Sequence, residues 1–231
     1  LKVSDIKAIV EIAKRHSIRT VADNTFMTAL YQKPLDLGCD IVIESLTKFV
    51  NGHSDVTAGC AVTNNEEIAE EICLLQKNFG GILGVEDAWL ILRGMKTMGL
   101  RMEKSVENAK ILTKFLESQD KIKKVYYPNL TSCKFYNIHT EQASSGGAVF
   151  SFEFFEQAHL KTFLKKIKIP IYAISLGGVE SIISHPATMS HACMSEEERL
   201  AQGVTQTLLR FSCGVEDAED LIEDLTQALT D

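Results

Sequence analysis

The sequence predicts an α/β protein whose C-terminal part is a smaller α+β unit, and three observations carry that prediction. Residues 19–76 read as strand, short helix, strand, strand, helix with short connections, the succession of an α/β layer. Residues 40–44 form one apolar run around Ile41, Val42 and Ile43, the kind buried on both faces of a parallel sheet. After two helical stretches the pattern changes, and residues 147–154 alternate apolar and polar as a half-buried strand does.

In order, Ser4 is placed to cap a helix over residues 4–16, with Ile6, Ile9, Val10, Ile12 and Ala13 at helical spacing. A strand over 19–22 ends at Asp23. After a turn-like stretch, residues 35–39 predict a short helix stopped by Gly38. Strands over 40–44 and 58–63 follow, then a helix over 65–76 with Glu66 and Glu67 in its first turn. The glycine-rich stretch 80–84 predicts a flexible loop. Residues 85–98 and 101–118 predict two helices. Trp89, Leu90, Leu92 and Met95 form the expected buried face of the first, and Val106, Ala109, Leu112, Phe115 and Leu116 that of the second. Beyond a domain boundary expected near residue 100, giving units 1–100 and 101–231, come a strand over 121–127 and a turn-rich stretch over 128–145. The strand over 147–154 and a helix over 157–166 come next. Residues 172–175 lead to Gly177-Gly178, Ser195-x-x-Glu198 is a capping box, and a strand over 207–212 and a helix over 217–229 close the chain.

The totals exclude several classes. The 231 residues are 45% hydrophobic and 24% charged, enough for one large domain or two small ones. A net charge of −7 argues against a surface built for phosphate backbones, so no nucleic-acid partner is expected. No apolar run approaches the roughly 20 residues of a membrane helix, and no secretory leader opens the chain. The six widely spaced cysteines never form C-x-x-C and read as free thiols of a reducing cytoplasm; no metal-ligand spacing is present. The chain opens on Leu1 and enters a helix almost at once, which predicts a piece of a longer polypeptide.

The chemistry concentrates on Ser45-Leu46-Thr47-Lys48. A single lysine among hydroxyls, after one strand and near an acid that ends another, points to a carbonyl cofactor held as an imine. Lys48 would bond the cofactor, Ser45 and Thr47 would donate to its phosphate from one side of an extended segment, and Asp23 would pair with its ring nitrogen. Each residue also has a plainer reading: Lys48 as a surface lysine, Ser45 and Thr47 as a solvated strand end, Asp23 in an Asx turn, His53 as a loop histidine. No Gly-x-Gly-x-x-Gly follows a strand, which disfavours a nicotinamide dehydrogenase.

Longer motifs carry a resemblance. Asp23-Asn24-Thr25-Phe26, Gln32 to Gly38, Ser45 to Lys48 with Gly52-His53-Ser54-Asp55, Ser175 to Ser181, His185 to His191 and Leu209 to Glu216 resemble the Cys/Met-metabolism family of pyridoxal-phosphate enzymes, in order and over essentially the whole chain. The resemblance implies fold type I: a large PLP-transferase-like domain with a mostly parallel sheet, here its C-terminal portion, and a smaller C-terminal α+β domain. It implies pyridoxal 5'-phosphate as cofactor, with Lys48 binding it and shuttling the substrate Cα proton. Asp23 would stay ionised beside the pyridine nitrogen, and Ser45 and Thr47 would hold the phosphate. Arg210 would bind the substrate carboxylate as a planar fork, against the alternative of an ion pair with Glu216 or Glu180. Ser175 would position the Lys48 amine and touch substrate.

Glu44 stands where many relatives have histidine, Ala29-Leu30 replaces a Pro-containing turn, and Gly84-Val85 replaces Ser-Pro. Family chains carry, before the position of Leu1, a tyrosine that stacks on the cofactor, a phosphate loop and a Tyr-x-Arg pair that reaches a neighbouring subunit. A homotetramer of two catalytic dimers is the implied assembly. Ile174 precedes Ser175 where cystathionine γ-lyases often carry glutamate, and this context looks like bacterial cystathionine β-lyases. The expected reaction is therefore β-elimination from L-cystathionine. Methionine γ-lyase, cystathionine γ-lyase, O-acetylhomoserine sulfhydrylase and a non-catalytic fragment stand as alternatives.

Overall fold

A computed structural model describes residues 1–230 of the chain. The first layer holds α1 (Ile6–Arg15), β1 (Val21–Asp23), α2 (Thr28–Tyr31), β2 (Ile41–Ser45), β3 (Gly59–Val62) and α3 (Glu66–Phe79). Asp5, not Ser4, caps α1: its Oδ1 accepts from Ala8 N at 3.0 Å. Val10 and Ala13 are buried, but Ile9 and Ile12 face outward. The short helix expected at 35–39 is a run of turns, because Gly38 takes φ +96° within it. The helical turn of this region is α2 instead.

β1 and β2 pair in parallel, with Asp23 opposite Ile43, whereas β3 runs antiparallel to β2. The expectation of a mostly parallel sheet thus holds for one of the two pairs in this layer. The connection from β2 to β3 turns back directly and contains no crossover helix, so the strand it delivers must return antiparallel.

Two helices follow, α4 (Val85–Met95) and α5 (Met98–Glu117). α5 buries Val106, Ala109, Leu112 and Leu116 as its periodicity predicts. α4 does not: Trp89 is 60% exposed and Leu92 63%, and the buried positions are Ile91 and Gly94. The reason is local. At Gly94 an added Cβ would collide with the Asn51 carbonyl, so α4 lies against the neighbouring turn along a narrow glycine strip rather than along its leucine face.

The second sheet has the order β4 (Ile122–Tyr126), β5 (Val149–Phe154), β8 (Leu208–Ser212), β7 (Ile182–Ser184), β6 (Ile171–Tyr172). Helices α6 (Tyr136–Gln142), α7 (Gln157–Lys166), α8 (Glu196–Ala201) and α9 (Ala218–Leu229) connect and cover it. The capping box at Ser195 and Glu198 is present, and α6 and β7 add regular structure where none was predicted.

β5 was expected to be half-buried but is buried at every residue, because β4 and β8 flank it and both faces are covered. Its alternation survives as chemistry. Phe150, Phe152 and Phe154 enter the core, where Phe150 stacks on Phe211 at 5.1 Å between centroids and Phe163 meets Phe152 edge-on at 5.9 Å. Such ring pairs add about 0.5–1.5 kcal/mol each beyond the area they bury. Glu153, on the other face, is enclosed by Lys123, Tyr126, Thr205 and Thr207. On β8 the same alternation sends Leu209 and Phe211 into the core and turns Arg210 to the opposite face.

Candidate active site

β2 runs straight into a π-helical turn, Leu46–Val50, and Lys48 sits inside it with non-helical torsions (φ −90°, ψ −131°). Asn51 N donates to Leu46 O at 3.0 Å and Gly52 N to Lys48 O at 2.7 Å. The Phe49 and Val50 carbonyls turn inward and accept from the buried Arg101 guanidinium at 2.8 and 3.0 Å. Gly52 makes this possible: its φ is +76°, and a Cβ there would overlap Arg101.

A second backbone segment closes over the turn. Ser175 has φ +84°, uncommon for a residue with a Cβ, and Gly177 has φ +81°. A Cβ at Gly177 would lie 2.8 Å from Phe49 N and 3.0 Å from Lys48 Cβ, so only glycine lets the two segments touch. Gly177 N donates to Ser212 Oγ at 2.9 Å and Val179 N to Gly52 O at 3.0 Å. The result brings three of the sequence-predicted residues together. Lys48 Nζ donates to Ser175 Oγ at 2.8 Å, and Arg210 Nη2 donates to the Ser175 carbonyl at 2.5 Å.

The electrostatics follow from that packing. Burial, and then the positive charge of Arg210, pull the Lys48 amine below the ordinary lysine range. Burial also lowers Arg210, which nevertheless stays charged. Arg210 takes part in none of the ion pairs among the described residues. Both carboxylates proposed as its partners are engaged elsewhere: Glu216 accepts from Ser181 N and Oγ, and Glu180 accepts from Ser54 Oγ at 2.6 Å.

Asp23 and the two hydroxyls are placed differently from one another. Asp23 ends β1 at the same sheet end at which β2 delivers the lysine turn, where α/β ligands bind. Its Oδ1 accepts from Thr25 N at 3.0 Å, so the local turn reading is also correct. Asp23 lines one cavity, whereas Thr47 and Ser175 line another, open cleft together with Ser54 and Asp55. Ser45 is held through its backbone, N to Thr25 Oγ1 at 2.9 Å, and its hydroxyl makes no bond to a described residue. Thr47 corrects the expectation of an extended Ser-x-Thr segment. It lies in the π turn, and its hydroxyl both accepts from Ala58 N at 2.9 Å and donates to Ala58 O at 3.2 Å. Glu44 accepts from Asn24 Nδ2 at 3.1 Å, and burial raises its carboxyl. His53 is a satisfied loop histidine, Nδ1 lying 2.6 Å from Asn51 O.

These residues fit a carbonyl cofactor carrying a phosphate. The donor set offers an amine of lowered basicity, an unengaged hydroxyl in Ser45, an acid with one oxygen uncommitted, and an arginine fork without a carboxylate. Arg101, Ser212 and Gly177 were given no role by the sequence reading, although the last two lie within its longer motifs. Gly177 was visible as half of a Gly-Gly pair, but nothing in the spacing of Arg101 announces a residue that reaches back to Phe49.

Comparisons with known proteins place the chain in a family. A family model described as Cys/Met metabolism PLP-dependent enzyme matches residues 1–230. The cystathionine beta-lyase of Bacillus subtilis is 48% identical over 229 residues, 99% of this chain and 59% of the relative. The cystathionine gamma-lyase of the same organism is 43% identical over 99% of this chain and 60% of its own. A crystal structure of cystathionine gamma synthase from Xanthomonas oryzae pv. oryzae, in complex with aminoacrylate and cysteine, superposes with a TM-score of 0.97. It is 39% identical, with 99% of this chain and 59% of that chain covered. The chain thus spans about three-fifths of the length of the proteins it matches. Its fold is that of fold type I pyridoxal-phosphate enzymes, and the chain belongs to the Cys/Met metabolism family of PLP-dependent enzymes.

Proposed function

We propose that the protein of which this chain is part is a carbon–sulfur lyase that converts L-cystathionine and water to homocysteine, pyruvate and ammonia by β-elimination. The observation that carries the reading is the convergence of Lys48 Nζ and the Arg210 fork on Ser175. Pyridoxal phosphate, when bound, supplies the electron sink that makes the substrate Cα acidic. Lys48 would hold the cofactor, and its amine, once freed, would take the Cα proton. Ser175 would orient that amine through its hydroxyl. Arg210 would receive the substrate α-carboxylate on the donors it does not give to Ser175. Ser45 and Thr47 would contact the phosphate, Ser45 through its hydroxyl. Asp23 would keep the ring nitrogen protonated.

The second reading is γ-elimination or γ-replacement on a related sulfur amino acid, supported by the similarity to a gamma-lyase and a gamma synthase. We further read residues 1–100 as the C-terminal portion of the cofactor-binding domain and 101–231 as a small domain. The protein is read as a cytoplasmic homotetramer. The free cysteines support a reducing compartment, and no helix among the described residues is long and apolar enough to cross a membrane. The test is product analysis. The whole protein given L-cystathionine and pyridoxal phosphate should yield pyruvate and homocysteine. Release of 2-oxobutyrate and cysteine would replace β- with γ-elimination, and a protein that stays colourless with added cofactor would be an inert one.

A further inference from the structure

A buried arginine normally faces an acid, because a cation in a protein interior is costly without one. Arg101 does not. Its side chain donates Nη1–H to Phe49 O at 2.8 Å, Nη2–H to Val50 O at 3.0 Å and to Gly94 O at 2.9 Å, and Nε–H to Thr97 Oγ1 at 3.1 Å. No carboxylate among the described residues shares these contacts. The two carbonyls belong to the two residues directly after Lys48, and Gly94 and Thr97 lie at the end of α4 and the start of α5. A lysine cannot replace this fork, since its ammonium is a single point and cannot span carbonyls on two segments.

The surroundings are shaped to admit the guanidinium. Gly52 leaves out the Cβ that would overlap it, and Gly94 leaves out the one that would strike Asn51. On the far side of the turn, Gly177 packs against Lys48 Cβ and Phe49 N. The backbone that follows Lys48 is therefore held from both directions, the Phe49 and Val50 carbonyls by Arg101 and Phe49 N by the close approach of Gly177. Lys48 is also the residue whose torsions leave the helical region, so a turn released on one side can relax and swing the side chain.

We propose that Arg101 is a positioning residue, which fixes the turn after Lys48 and thereby aims the lysine amine at Ser175. The inference rests on the reading of Lys48 as the cofactor lysine. Arg101 itself is turned away from the cleft and touches neither Lys48 Nζ nor Ser175. Its effect has to pass through the backbone of residues 48–50. The charge that acts directly on the amine is Arg210.

The test uses the whole protein freed of cofactor and follows the growth of visible absorbance after pyridoxal phosphate is added, across pH. Only the neutral amine captures the cofactor, so the midpoint of the rate profile reports Lys48. With the turn loosened, water reaches the amine and its basicity recovers. Arg101→Lys should move the midpoint upward by roughly half a pH unit or more. Thr97→Val, which removes one acceptor from the clamp and leaves the buried charge in place, should move it in the same direction by less, and it decides the matter if Arg101→Lys does not fold. Leu112→Ala, a cavity in the same helix, should lower the melting temperature and leave the midpoint alone. Unmoved midpoints in the folded clamp variants, or an equal shift in Leu112→Ala, would overturn the proposal. Failure of the unmodified protein to capture cofactor, or capture that survives Lys48→Ala, would instead remove the reading of Lys48 on which it rests.

Discussion

Lys48 Nζ donates to Ser175 Oγ at 2.8 Å although 127 positions of chain separate them. The contact exists because Gly177 lets one segment lie on the other and because Arg210 holds the Ser175 carbonyl. Ser175 also adopts a positive φ that an L side chain rarely accepts, at a cost of order 1–3 kcal/mol. Removing the hydroxyl tests what that strained position does. A hydrogen bond to a charged group is worth about 1.5–3 kcal/mol, so Ser175→Ala should lower kcat/KM on the sulfur amino acid by about tenfold or more. The visible absorbance of bound cofactor should persist. Unchanged kcat/KM would show that the amine finds its place without the serine.

Arg210 offers a sharper separation of binding from chemistry. It is half-buried and carries no ion pair among the described residues, which leaves its fork open to an incoming carboxylate. Arg210→Lys keeps a positive charge but not the two parallel donors. KM should rise by about tenfold or more while cofactor absorbance is retained. A substrate analogue with a carboxamide in place of the α-carboxylate should bind variant and parent alike. If the amide loses affinity in parallel, Arg210 acts on the cleft and not on the carboxylate.

How much of this was legible follows the physics of each residue. The short motif around Lys48 was readable because its chemistry is local: one amine, two hydroxyls and an acid at the ends of neighbouring strands. Thr47 was misplaced because a strand that turns into a π helix changes which way a hydroxyl points, and residue spacing alone does not record that. The Trp89 and Leu92 face of α4 was misread because periodicity finds an apolar stripe but not what covers it; here Gly94 sets the contact. The fully buried β5 was misread for the converse reason. Ser151 and Glu153 look solvent-facing in sequence, and only tertiary partners such as Tyr126 and Thr205 explain how the carboxylate is accommodated. Arg101 has no local signature of this role, since the two carbonyls through which it holds the lysine turn lie about fifty residues earlier.

The Glu153 cluster makes stability depend on pH at both ends of the scale. Burial, then the Glu153 charge and its hydrogen bond, push the Tyr126 phenol up to about 12. A phenol that holds its proton longer when folded contributes stability below its ordinary value, and this is lost as pH rises towards 12. For Glu153, burial alone would raise the carboxyl, but donors from Thr205, Tyr126 and Lys123 outweigh it and the net shift is downward. Its contribution is therefore present above the ordinary glutamate range and lost as pH falls. Tyr126→Phe should flatten the curve at both ends. The alkaline loss should shrink because the phenol is gone, and the acid loss should shrink because Glu153, with one donor fewer, is depressed less and has less stability to lose. Urea midpoints from about pH 3 to about pH 12 measure both; a parallel displacement of the whole curve would refute the coupling.

Gly177 and Gly203 form a matched pair that isolates the close approach of the two segments. Both have φ near +80°, so a Cβ strains the backbone at either site by about 1–2 kcal/mol. At Gly203 nothing lies within 4 Å of the added carbon. At Gly177 the carbon meets Phe49 N and the Lys48 backbone, neither of which can step aside without moving the turn that Arg101 holds from behind. Gly203→Ala should therefore lose only the torsional strain and capture pyridoxal phosphate as the parent does. Gly177→Ala should lose more stability, about 2–4 kcal/mol in all, and capture the cofactor more slowly. Denaturant unfolding and the rate of absorbance growth give the two readouts. Equal losses in both variants would mean that the 175–178 segment is free to lift off Lys48, and that the 2.8 Å contact to Ser175 is not held by the backbone.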